Sequence, residues 1–289
     1  MQSNQELINS IKINGAVPEN QEDYSDEVIL SLADEVLEQT LLPIIMERKE
    51  EYFVFPQPFP ITAGKRKYRI PSRSIGAVLR DVQILRGTAL SSIGNINPED
   101  LSTTTQGTPS AFYMESNSVC LYPVPSSTDG FLVMKYFIRP ARLTPVSNAS
   151  RVTAFDPLTT TVSLEAIPPN VIVGSILDFT KGTAHYEPLS LDHKVLSING
   201  TDVQLSSLPE DLEERDWISL SGYSPVPSIP EDYHSILALL TASKILQSLG
   251  QTDQEQALIA KAEASLARMT SNVSPRVLGE PNKIVSPLW

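Results

Sequence analysis

One cysteine among 289 residues, Cys120, makes an intramolecular disulfide framework impossible. It sits in the alternating run SVCLY and reads as a small buried hydrophobe of a reducing compartment. Long apolar runs are missing as well. No stretch approaches the roughly 18 apolar residues of a membrane span. The opening MQSNQELINSIK has neither an apolar core nor a small-residue cleavage site. The expectation is a chain that is neither secreted nor membrane-bound, so the sequons at Asn148 and Asn272 carry no glycan. Positive charge is in deficit: 22 Lys and Arg face 34 Asp and Glu, a formal net charge of −12. That balance argues against a general nucleic-acid binder held by phosphate neutralisation.

Histidine is equally scarce, with three in the chain. His185 and His193 lie near Asp178, Glu187 and Asp192, but their spacing matches no metal motif, and neither a metal ion nor a cofactor is expected. His234 sits beside Asp232 in the first turn of a helix, where capping or packing explains it better than general-base chemistry. There is no G-x-S-x-G elbow, P-loop, dinucleotide fingerprint or H-E-x-x-H, and nothing around Cys120 marks a nucleophile. Carboxylate pairs leave no local signature, so a hydrolase working through acids of the 178–192 region stays open as a minor reading. Otherwise the chain reads as a non-enzyme with no catalytic residue.

What is present is a core and a change of period. With 41% hydrophobic and 19% charged residues the chain can bury a sizeable core. A polar lead containing the turn-prone Asn14-Gly15 comes first. Then YSDEVILSLADEVLEQTLLPIIMERKEE, capped by Ser25 or Asp26, places Ile29, Leu32, Ala33, Val36, Leu37, Leu41 and Ile44 on one helical stripe. Pro43 inside it predicts a kink or break near Leu42. From Tyr52 the period becomes two: YFVFP, RKYRIP, AVLRDVQILR, SVCLYPVP and FLVMKYFIRP read as strands stopped by Pro56, Pro71, Pro123, Pro125 and Pro140. Residues 88–109 read as a long loop.

A second β unit follows over 147–222, with turns at Asp156-Pro157 and at Asn199-Gly200, the latter of type I′, and about six strands fit for a small barrel or sandwich. Helical sequence resumes with a capping box at Ser228 and Glu231, ends at Gly250, and restarts at Thr252 and Glu255, giving a helix hairpin. The last stretch has no period yet keeps Val277, Leu278, Ile284, Val285, Leu288 and Trp289. It reads as extended peptide that folds onto something else. The fold class is therefore α+β. The expected organisation is a body of 1–146 and 223–273, an inserted β domain of 147–222 and an extended tail of 274–289.

Charge is ordered along the chain: acids dominate between Glu6 and Glu51, and Lys65, Arg66, Lys67, Arg69, Arg73, Arg80 and Arg86 follow with only Asp81 opposing them. Such blocks suit self-assembling subunits with complementary faces, and equally two solvated faces. The basic cluster with Tyr68 could also hold phosphates, a weaker reading for alternating cations on a strand. The subunit-interface candidates are Lys65, Arg66, Lys67, Arg69 and Arg73 against Asp34, Glu35 and Glu38.

The order of these segments resembles head-to-tail adaptor proteins of tailed bacteriophages, most of all those of short-tailed phages. The resemblance is carried by Tyr68 to Pro71, by Gly107, Pro109, Tyr113 and the Leu121-to-Pro125 pattern with Tyr136 following, and by Ile229-Pro230 before a long helix. It implies a structural virion protein: a homo-oligomeric ring, dodecameric in typical members, docked below the portal protein after DNA packaging. The tail nozzle, tail tube or fibre proteins would bind below it, and double-stranded DNA would pass through the lumen without specific binding. It also implies assembly in the host cytoplasm. Carried over by position, Pro275, Arg276, Val277, Leu278, Ile284, Val285, Leu288 and Trp289 belong to a portal-binding extension. The alternative from another class is a ligand- or carbohydrate-binding β module of the virion or cell surface, for which Tyr113, Tyr122, Tyr136, Trp217 and Tyr223 would have to line a groove.

Overall fold

The computed structural model describes residues 3–16, 24–101, 105–182 and 188–272. It is a mixed helix and sheet protein. By contact density the chain divides into two compact units, residues 38–140 and the remainder.

The polar lead is in fact a helix, α1 (Asn4–Asn14). Its signal was in the sequence: Ser3 accepts the Glu6 N–H and the Glu6 carboxylate accepts the Ser3 N–H, a capping box, while Leu7, Ile8 and Ile11 are buried on one side. α2 (Asp26–Val36) starts from Ser25, whose hydroxyl accepts the Val28 N–H, and buries Ile29, Leu30, Ala33 and Val36. A π turn, Leu37–Leu41, then leads into α3 (Leu42–Lys49). Pro43 lacks the N–H that an α ladder needs and its ring crowds the preceding turn; widening that turn to π accommodates both.

In the 38–140 unit, β1 (Val54–Pro60), β2 (Lys67–Arg69), β3 (Ser74–Arg86), β4 (Ala89–Ser92) and β5 (Gly94–Asn95) are followed by β6 (Gln106–Gly107), β7 (Ala111–Met114), β8 (Ser118–Tyr122), β9 (Val124–Pro125) and β10 (Phe131–Ile138). They form two four-stranded sheets, β1-β10-β3-β4 and β2-β8-β7-β5, and the pair β6-β9. Ile61, Tyr68, Ile84, Val119, Leu132 and Met134 share one core. The described residues of 88–109 are therefore not a structureless loop. Gly87, with φ +56, opens a two-residue turn that folds β4 back on β3, and β5 and β6 each pair in parallel with later strands. Pro56 does not stop its strand either. β1 is an edge strand, and an edge tolerates proline wherever the N–H would face outward.

In the other unit, β11 (Arg142–Leu143) and β18 (Tyr223–Ser224) pair in parallel. Between them β12 (Ala149–Asp156), β13 (Thr161–Leu164), β14 (Ile176–Thr180), β15 (Pro188–Asn199), β16 (Asp202–Leu205) and β17 (Trp217–Leu220) close into a barrel, β17 returning to pair with β12 through Ala149 and Ser219. Val152, Val162, Leu177, Phe179, Val203 and Ile218 fill it, each contributing about 1.5–3 kcal/mol by burial. The turn at 199–202 differs from expectation. Asn199 pairs with Asp202, so the loop residues are Gly200 and Thr201, and only Gly200 has positive φ (+62), the pattern of a type II′ rather than a type I′ turn.

α4 (His234–Ser248) packs against α1, α2 and α5 (Thr252–Asn272), which is why it is buried on nearly every side. Ser228 and Glu231 do not cap it. A 3-10 turn, Glu231–Tyr233, precedes the helix, and Tyr233 in the cap position makes no side-chain capping bond to the helix. At the other end Gly250 (φ +71) donates to Gln247 O and Gln251 to Leu246 O, the paired bonds of a Schellman stop. Buried Asn4 links α1 to the neck of the barrel, its Nδ2 donating to Thr144 O (2.7 Å) and Ser224 O (2.8 Å).

Candidate assembly surface

The groups with chemical potential are used structurally. His193 is buried, with Nδ1 near Ser207 O and Oγ (2.8 and 3.0 Å), Nε2 near Ser190 Oγ (2.7 Å), and its ring edge-on to Phe179. Burial pushes its pKa down, which favours the neutral ring. His234 is buried on Ile229 O (3.0 Å) and is lowered by the same cause. His185 and Glu187 lie outside the described residues. Asp178 accepts backbone N–H groups from Asp192 (3.0 Å) and Gly222 (2.8 Å), and Asp192 accepts from Ser221 Oγ (2.9 Å). The acids of the 178–192 region that are described thus stitch barrel strands together. Among the described residues no group of three or more His, Cys, Asp or Glu could hold a metal ion. Cys120 is fully buried, and desolvation raises its thiol pKa; a thiol held neutral is a poor nucleophile.

The basic strand is real and outward-facing. β2 alternates exposed, buried, exposed: Lys67 and Arg69 point to solvent while Tyr68 enters the core, its hydroxyl accepting the Thr62 N–H at 3.0 Å. Lys65 covers the Tyr68 ring at 4.8 Å from the centroid. Arg66 and Lys67 both reach Glu115, at 3.6 and 3.1 Å. Glu115 was missed in the sequence because it is 48 residues away from Lys67, and only the pairing of β2 with β8, whose hairpin with β7 carries Glu115, brings it there. Its cations hold its carboxyl below the ordinary range, the Lys67 hydrogen bond first. Arg73 is half-buried and its carbonyl accepts the Arg139 N–H at 2.8 Å. Arg80 is paired with Glu51 (2.5 Å) and Glu50 (3.7 Å).

The acidic candidates separate. Asp34 accepts the Leu143 N–H and Glu35 pairs with Lys244, both inside the subunit, whereas Glu38 is exposed. Charge follows the two units more sharply than the linear reading suggested. Residues 38–140 carry eleven Lys and Arg against nine acids; the rest of the chain carries eleven against twenty-five. The whole acid excess therefore lies outside the β2-bearing unit.

Of the five aromatics that a ligand groove would need, Tyr113, Tyr136 and Trp217 are buried, and Trp217 is further covered by Arg151 at 4.4 Å from its centroid. The candidate tail residues Pro275 to Trp289 lie outside the described residues. No described helix is long and apolar enough to cross a membrane.

No curated protein matches the chain. A family model does, that of the SU10 adaptor protein, over residues 5–167. The match covers more than half of the chain, from α1 through the whole 38–140 unit to the first two barrel strands, and leaves α4, α5 and four barrel strands beyond it. On that match the chain belongs to the SU10 adaptor protein family of phage head-to-tail adaptors.

Proposed function

We propose that this chain is a structural, non-enzymatic virion protein that forms a homo-oligomeric ring below the portal protein and presents a platform to the tail. The observation that carries the reading is the family match over residues 5–167. In this reading the ring is a dodecamer, double-stranded DNA passes through its lumen without specific binding, and assembly takes place in the host cytoplasm. Residues 274–289 are the portal-binding extension, with Pro275, Arg276, Val277, Leu278, Ile284, Val285, Leu288 and Trp289 as contacts. The inserted domain of 147–222 reaches the tail nozzle, tube or fibres.

Two physical features support it. A ring needs unlike faces on each subunit, and the units differ in charge: exposed Lys65, Arg66, Lys67 and Arg69 of the 38–140 unit can meet acids of the next copy's acid-rich unit, and Glu38, although it belongs to the 38–140 unit, is exposed for the same role. Asp34 and Glu35 remain candidates that already hold bonds within the chain, Asp34 to the Leu143 N–H and Glu35 to Lys244, as Arg66 and Lys67 do to Glu115. An aperiodic apolar segment repeated around a ring also gains avidity from weak single contacts.

The test is the mass by light scattering of the full chain and of a version ending at Asn272, each alone and mixed with the portal ring of the same virus. The full chain adds to the portal as a closed set of copies and the shortened one does not. A monomer that leaves the portal mass unchanged in both versions would overturn the proposal.

A further inference from the structure

The sheet β1-β10-β3-β4 has two edges of opposite design. On β1, Pro56, Pro58 and Pro60 occupy alternate residues opposite Lys135, Val133 and Phe131. The bonds to β10 must come from the residues between them, and the next one in that series, Ile61, indeed donates to Gly130 O at 3.1 Å. The outer side of β1 therefore has no N–H to offer at three successive outward positions, a barrier to any further strand.

β4 is the reverse. Its four residues are all exposed, and among the described residues no strand pairs with its outer side. Arg86 and Ala89 close the two-residue turn, and Ile93 donates to Val82 O at 3.0 Å, so residues 89, 91 and 93 face β3. The N–H and C=O groups of Leu90 and Ser92 consequently point outward. Side chains add a pattern. Pro60, Phe131, Leu85 and Leu90 fall opposite one another in successive strands, and Phe131 and Leu90 remain 44% and 52% exposed. Two residues along, Ser92 donates to the Asp81 carboxylate (2.6 Å), which also receives Gln83 (2.7 Å).

We propose that the β4 edge is a docking site for one extended segment of a partner polypeptide, added to the sheet as a fifth strand. The segment carries an apolar residue opposite Leu90 and, two residues on, a polar hydrogen-bonding residue opposite Ser92. A second copy does not fit by continuing the sheet head to tail, because the edge it would present, β1, is closed by proline; antiparallel pairing of β4 with the β4 of a second copy is the competing outcome that concentration dependence reads. Naming a virion protein as the source of that segment rests on the adaptor reading; the edge chemistry does not.

The experiment follows amide hydrogen exchange in the full chain by NMR, with a capped Lys-Thr-Val-Thr-Thr-Thr-Lys peptide as probe and the same peptide N-methylated at its valine and at the threonine two residues on. The plain peptide slows exchange at Leu90 and Ser92 by about tenfold or more, about 1.4 kcal/mol of protection, and leaves Ala89 and Ser91 unchanged. The methylated peptide does nothing. L90D, with an unchanged circular dichroism spectrum, weakens the plain peptide by about tenfold. Three results each overturn the proposal: no slowing at millimolar peptide, equal slowing by the methylated peptide, or protection in the free protein that grows with its concentration, which gives the edge to a second copy. No portal is present in this measurement, so it can fail while portal assembly succeeds, and the reverse.

Discussion

Asp34 on α2 accepts the backbone N–H of Leu143 at 2.9 Å. A carboxylate that the charge pattern offered to a neighbouring subunit is thus held inside its own. Removing it leaves a half-buried N–H without its acceptor, which costs about 1–3 kcal/mol. D34A should therefore lower the urea midpoint clearly, whereas E35A, which breaks the partly exposed pair with Lys244, should change stability by about 0–1 kcal/mol. Equal losses in the two variants would contradict the assignment.

Two glycines are held by backbone rather than by space. A Cβ on Gly182 would lie 2.1 Å from Arg215 O, and one on Gly130, at φ +83, 2.3 Å from Leu85 O. G182A and G130A should each lose about 1–3 kcal/mol, from the barrel and from the β3-β10 sheet respectively. Gly64, at φ +75 with open space around it, should lose only about 1 kcal/mol as G64A. Calorimetric unfolding of the three variants checks the order.

Burial lowers the pKa of both His193 and His234 from the ordinary 6.5, so the unfolded chain binds more protons than the folded one below that value. Their contribution to stability is complete above about pH 6.5 and is lost as pH falls from there through the folded-state values. Urea midpoints measured from pH 7.5 to pH 5 should fall with pH, and H193Q should flatten that slope. A slope unchanged by the substitution would remove His193 from the account.

Replacing the prolines of β1 restores three outward N–H groups. The triple substitution P56T, P58T and P60T should raise self-association with concentration, read as growing mass by light scattering, while the wild-type chain at the same concentration does not grow. Leu90→Asp at the opposite edge should have no such effect.

If the basic strand contacts the next copy, reversing one exposed cation should weaken ring formation without unfolding the subunit. R69E is expected to do so, and R80E less, since Arg80 already pairs with Glu50 and Glu51 within its own unit. Added salt should weaken assembly of the wild type in the same direction, as screening does for exposed charges. Sedimentation velocity with and without portal reads both.

Much of the α+β organisation was legible because it depends on neighbours in sequence. Period 3.6 marked α2, α4 and α5, and period 2 marked β3, β8 and β10. The Ser3-to-Glu6 capping box and the Leu7, Ile8, Ile11 spacing marked α1 too, yet the polar residues around them hid a helix whose buried Asn4 donates to carbonyls 140 and 220 residues away. Segments 88–109 had no period because β4, β5 and β6 are two to four residues long, too short for alternation to show and stabilised only by the strands they meet.

The sequence by itself determined the helix and strand periods, the lone buried thiol, the excess of acid and the lack of any catalytic or metal signature, since each is a property of residue types and short spacings. Tertiary structure alone decided that Glu115 answers Arg66 and Lys67, that Asp34 bonds the Leu143 N–H and Glu35 pairs with Lys244, that three prolines close one sheet edge while Leu90 and Ser92 leave the other open, and that β17 returns to β12. These are facts of pairing between distant segments, and register across a sheet is set by cooperative packing that no local window of sequence contains.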